Sequence, residues 1–177
     1  MRYLALILAA ITSVEVHAFQ YVPRLIVNIT IDQLRTDYME AFYGYYTERG
    51  FKRLIKEGYY YDRVSYPFKP VDRSSSAAAL STGTSPFYNG IIGNSWLNCE
   101  TLQPVLSTDD ERYKNSPARL KTSTLSDELK VSTEGKAFVY SFANHKDAAI
   151  LFAGHAADGA FWIEGKQWQG SDYYRSA

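Results

Sequence analysis

A single cysteine, Cys99, rules out any disulfide within the chain. In an oxidising compartment a lone thiol is either buried or open to oxidation. An excess of charge of one sign is missing too, because 19 Lys and Arg residues balance 19 Asp and Glu. No basic excess points to a nucleic-acid duplex or another polyanion as partner. Long apolar runs are also absent. Leu4 to Ile11 falls far short of the roughly 20 residues that span a bilayer, so no transmembrane anchor is expected. No repeat, low-complexity tract or linker divides the sequence, which favours one core over several.

What is present begins with a leader. Arg2 supplies a positive start, Leu4 to Ile11 a short apolar core, and Val16-His17-Ala18 a small-residue cleavage site. Residues 1–18 are expected to be a signal peptide, the mature chain to begin at Phe19, and the protein to work in the periplasm or outside the cell. About 160 residues remain, enough for one core of ordinary size. Residues 19–177 are read as a single domain. The last five, Tyr173 to Ala177, close no element, so an incomplete domain is expected.

Strands and helices alternate along this domain. Arg24 to Ile31 (RLIVNITI) is β-branched and apolar with little alternation, the pattern of a strand buried on both faces. It runs into Asp32, either a helix N-cap or a carboxylate on the strand end where open α/β sheets bind ligands. Helical patterns follow at Thr36 to Tyr43 and around Phe51, Leu54 and Ile55, the latter stopped by Gly58. Tyr59 to Tyr66 reads as a strand, and Ile91 to Leu97 returns toward the sheet. Asn98 to Leu120 reads as a polar surface excursion. Thr124 and Asp127 make a capping-box start to a short helix ending near Val131. A strand from Lys136 to Phe142, a helix from Lys146 to Phe152, and a hairpin across Glu164-Gly165 complete the pattern. The class is α/β, with a mostly parallel central sheet flanked by helices.

One stretch organises the rest: VDRSSSAAALSTGT, Val71 to Thr84. Small residues make a helix here, with Asp72 as N-cap and Gly83 as stop. Such a helix either offers bare N-terminal N–H groups to an anion, typically phosphate, or simply packs tightly against a sheet.

IVNITIDQLRTDY, GFKRLIKEG, STGTSPFYNGIIGNSW and DAAILFAGHAADGAFWI together resemble the alkaline phosphatase superfamily. The branch they resemble most is the exported bacterial alkaline phosphatases related to type I phosphodiesterases and nucleotide pyrophosphatases. The resemblance covers only the N-terminal portion of such enzymes and implies an alkaline-phosphatase-like fold, incomplete here. It also implies two Zn²⁺ ions, phosphate ester substrates and a covalent phospho-enzyme. Asp32 matches the first zinc ligand, and Asn94 the amide that donates to the substrate phosphate. The nucleophile slot, counted back from Ser81-Thr82-Gly83, is Arg73, where the family has Thr or Ser. A Lys and an Arg that reach the phosphate fall on His145 and Asp147, or the Lys on Lys146 after a one-residue slip.

An arginine cannot do the work of that hydroxyl. Its guanidinium stays protonated and has no lone pair to offer to metal or phosphorus. Ser74 is the fallback nucleophile if the helix start shifts by one residue. Two zinc ions need roughly six protein ligands rich in His and Asp, yet beyond the leader only His145 and His155 remain, and His155 reads as a loop or core residue. The expected function is therefore that of an N-terminal fragment of a metal-dependent phosphohydrolase with a substituted nucleophile slot. The alternatives are a pseudophosphatase holding a phosphate-type anion through Arg73 and Asn94, or an Arg73–Asp72 ion pair of purely structural use.

Overall fold

The computed structural model describes residues 24–175. The expected leader, residues 1–18, and the mature start at Phe19 lie outside them. Among the described residues, four α-helices and a 3-10 turn (Tyr43–Tyr45) precede the first strand: α1 (Thr36–Ala41), α2 (Phe51–Glu57), α3 (Arg73–Thr82) and α4 (Pro86–Asn89). Then come β1 (Ser95–Leu97), β2 (Pro104–Leu106), β3 (Asp109–Asp110) and β4 (Lys114–Asn115). Helix α5 (Leu125–Ser132), strand β5 (Tyr140–Ala143), helix α6 (Lys146–Ala153) and strands β6 (Gly159–Glu164) and β7 (Gln167–Gly170) complete the order, with a 3-10 turn at Asp172–Arg175. No helix among the described residues is long and apolar enough to cross a membrane.

The architecture is α/β. Its three-stranded sheet runs β5-β6-β7, with β5 and β6 parallel and β6 and β7 an antiparallel hairpin through Gly165. Helix α6 crosses from β5 to β6, as the parallel pair requires. Its Ala149, Ile150, Leu151 and Ala153 are all out of water. Ile150 packs with Val139, Ala160 and Trp162 on the sheet side, and Leu151 packs with Ala77 and Ala78 of α3. Burying each of those two side chains contributes about 2–3 kcal/mol. The alanines of α3 let the two helices approach closely, so α3 is both tightly packed and well placed.

Three expectations need correction. Arg24 to Ile31 forms no strand; Leu25 is 79 % and Ile29 76 % exposed. A parallel strand is held by neighbours on its edges and layers on its faces, and the described residues supply neither here. The segment instead lines a cavity of 1280 Å³ together with Tyr140, Phe142 and α3, beside the sheet's terminal strand β5. Tyr59 to Tyr66 is likewise mostly exposed and forms no strand. Residues 98–120, by contrast, are more than a surface excursion. They carry β2, β3 and β4, and Ser107, Thr108, Asn115, Ser116 and Leu120 are buried against the rest.

Candidate functional site

The site is built at the start of α3. Asp72 caps it: Oδ1 accepts from the Ser75 N–H and from Ser75 Oγ, both at 2.9 Å, while Ser75 Oγ accepts from the Asp72 N–H at 2.9 Å. Oδ2 accepts from the Asn94 N–H at 2.6 Å, tying the following loop to the same carboxylate. Gly83 ends the helix in the left-handed region at φ 68°. Asp72→Ala is expected to lower stability by about 1–2 kcal/mol, measured by chemical denaturation, since it frees the Ser75 and Asn94 donors together.

The cap also decides what the helix can bind. The Ser74 N–H donates to Asn94 Oδ1 at 3.0 Å, the Ser75 N–H to Asp72 and the Ser76 N–H to the Asp72 carbonyl. Those first-turn donors are consumed within the protein, so the anion-binding reading of this helix start gives way to the packed one. Any anion here would rest on side chains.

Arg73 is the first residue of α3. Its Nη1 lies 3.7 Å from Asp147 Oδ2 and its Nε 4.0 Å from Asp32 Oδ2. Both contacts are ion pairs longer than hydrogen bonds, and Nε is buried without a hydrogen-bond partner. Asp147 is largely buried in the first turn of α6, whereas Asp32, in the turn ahead of Gln33, is 66 % exposed. One guanidinium thus faces two carboxylates. Asp72, the other expected partner of Arg73, is occupied by the cap. Asp32 caps no helix either: Arg35 holds the N-cap position of α1, with no side-chain bond.

Ser74 is fully buried. Its Oγ donates to Asp147 Oδ2 at 3.0 Å and sits 2.9 Å from Ser107 Oγ, so the hydroxyl is committed inside the protein. Asn94 is exposed; with its carbonyl used by Ser74, its amide N–H₂ is the part left to donate outward. His145 lines the large cavity with Asp32 and Arg73, whereas Lys146 Nζ donates to Asn115 Oδ1 at 2.9 Å, away from them. His155 is structural: Nδ1 meets Asp127 Oδ2 and Nε2 meets the Leu120 carbonyl, each at 3.0 Å. Cys99 is exposed and unpaired.

Among the described residues no three His, Cys, Asp or Glu side chains gather as metal ligands would. Asp32 is turned toward a cation already present, the Arg73 guanidinium. The described residues alone do not supply the ligands of a dinuclear zinc centre. Reading along the sequence missed Ser107, which is 33 positions from Ser74 in a stretch with no local signal.

A model of the "Type I phosphodiesterase / nucleotide pyrophosphatase" family matches residues 26–177. The chain is 36 % identical over 152 residues to the alkaline phosphatase PhoV of Synechococcus elongatus, covering 80 % of this chain and 28 % of that protein. It is 34 % identical over 153 residues to the alkaline phosphatase PafA of Elizabethkingia meningoseptica, again covering 80 % of this chain and 28 % of the relative. The crystal structure of wild-type PafA superposes with a TM-score of 0.83 at 32 % identity, over 86 % of this chain and 32 % of that one. The chain thus spans under a third of the length of these relatives. A second PafA structure, with a TM-score of 0.78 at 31 % identity over 82 % of this chain and 31 % of that one, carries replacements at a Thr, an Asn, a Lys and an Arg. That Thr and Asn are 21 positions apart, as Arg73 and Asn94 are here, and the Lys and Arg are two apart, like His145 and Asp147.

Proposed function

Because the chain belongs to the type I phosphodiesterase / nucleotide pyrophosphatase family, we propose that it forms the N-terminal part of an exported phosphohydrolase-type domain whose reacting corner is catalytically silent. The observation that carries this reading is the Arg73 guanidinium, 3.7 Å from Asp147 and 4.0 Å from Asp32, in the slot where the resemblance puts a nucleophilic hydroxyl. Phosphoryl transfer through a covalent intermediate needs an atom with a free lone pair at that place. Arg73 has none at any working pH. Ser74, the neighbouring hydroxyl, is buried and bonded to Asp147 and Ser107, so no phosphorus can approach it. The resemblance associates two Zn²⁺ ions with such chemistry; of the residues described, Asp32 alone matches a ligand, and it faces a guanidinium.

A second reading has one observation in its favour. The Asn94 amide, left over once its carbonyl is used by Ser74, and the Arg73 guanidinium, whose two ion pairs are both longer than hydrogen bonds, are groups suited to a phosphate-type anion, as in a pseudophosphatase.

The test is an ester assay on the full-length protein in buffer containing Zn²⁺. With p-nitrophenyl phosphate as monoester and bis-p-nitrophenyl phosphate as diester, the wild type is expected to release nitrophenol no faster than the buffer blank. Turnover above blank would overturn the reading, and its disappearance in Ser74→Ala would show that the fallback hydroxyl carries it.

A further inference from the structure

We infer that Asp147 determines what this corner accepts: its carboxylate is an internal substitute for a bound phosphate, so Arg73 is available to an external phosphate only when residue 147 is uncharged. This deepens the proposed function and rests on it, since it takes Arg73 to stand in the reacting corner. A carboxylate and a phosphate present equivalent oxygen acceptors to a guanidinium, so they compete for the same donors. Asp147 wins that competition by being local. It is carried on the first turn of the well-packed helix α6, and Ser74 Oγ holds its Oδ2 at 3.0 Å. Ser74 is itself fixed by Ser107 at 2.9 Å. The carboxylate therefore cannot swing aside to admit a guest without breaking a partly buried hydrogen bond that a fully buried hydroxyl makes.

The arrangement is occupied yet not clamped. The Arg73–Asp147 contact of 3.7 Å is longer than a charge-assisted hydrogen bond, and Arg73 Nε keeps an unused donor. Removing the charge at 147 leaves a guanidinium whose remaining partner, Asp32, is mostly in water and correspondingly screened.

The experiment is calorimetric titration of the full-length protein with inorganic phosphate. Asp147→Asn, which keeps the shape and an acceptor for Ser74, is expected to bind phosphate at least tenfold more tightly than the wild type. Asp147→Ser should give a similar gain, which guards against a folding defect peculiar to one variant. Adding Arg73→Ala to Asp147→Asn should return affinity to the wild-type level. Asp32→Asn should raise affinity much less, because that carboxylate is exposed and farther away. Unchanged affinity in both Asp147 variants, a gain that survives Arg73→Ala, or an equal gain from Asp32→Asn would each overturn the inference. Ester turnover by the wild type is a separate result; it would defeat the silent-corner reading whatever the phosphate titration shows.

Discussion

Gly154→Ala is expected to lower stability by about 3–5 kcal/mol, a large share of the margin of an ordinary domain. Gly154 closes α6 at φ 75° and ψ −158°, a backbone region that residues with a side chain adopt only under strain of roughly 1–3 kcal/mol. Space is as limiting as conformation. A Cβ there would run into Thr124 Oγ1 and lie 2.7 and 2.8 Å from the two Asp127 carboxylate oxygens. Either the carboxylate moves, and its hydrogen bonds with it, or the end of α6 does. Denaturant unfolding followed by circular dichroism measures the loss; a variant within about 1 kcal/mol of wild type would show that this junction relaxes freely.

Asp127→Asn, the second large effect, is expected to cost about 3 kcal/mol, because it leaves the partly buried His155 facing no negative charge. Asp127 is nearly out of water and accepts five hydrogen bonds. Oδ1 takes the His155 and Ala156 N–H groups at 2.7 and 2.8 Å. Oδ2 takes the Thr124 N–H, the Thr124 hydroxyl and His155 Nδ1 at 2.8, 3.0 and 3.0 Å. Burial alone would push this carboxyl up; the His155 ring and the Thr124 and Ala156 donors outweigh it and hold it well below the usual carboxylate range. The same carboxylate raises His155, against the opposing effect of burial and with help from the Leu120 carbonyl.

The pH dependence follows with a definite sign. The depressed Asp127 contributes stability above its unfolded value near 3.9, lost as pH falls through its lower folded value. The raised His155 contributes fully below its unfolded value near 6.5, and that contribution is lost as pH rises through the higher folded one. The pair is therefore strongest between about pH 4 and 6.5. His155→Gln should flatten the alkaline decline in a denaturation series from pH 5 to 9. An unchanged slope in that variant would place the decline elsewhere.

These junctions were readable in the sequence because their chemistry is local. Asp72 with Ser75, and Thr124 with Asp127, are three residues apart, and Gly83 and Gly154 follow their helices directly. The hairpin around Gly165 is equally short-range. Arg24 to Ile31 failed as a strand for the opposite reason. Its composition states a preference for a sheet, but pairing depends on partners that the pattern itself does not contain. The candidate site divides along the same line. The resemblance points to position 73 by a count back from Ser81-Thr82-Gly83, and to Asp147 as the residue in an arginine slot. That Ser74 reaches across 73 positions to hold Asp147 beside Arg73 is tertiary, and no spacing announces it.

The charges at 73 and 147 also constrain each other. Replacing residue 73 alone by a hydroxyl-bearing residue would leave the acids Asp32 and Asp147 converging on an emptied spot. Changing residue 147 alone to arginine would set two guanidinium groups against each other. Each single replacement is electrostatically uphill, so the two charges can be exchanged only together.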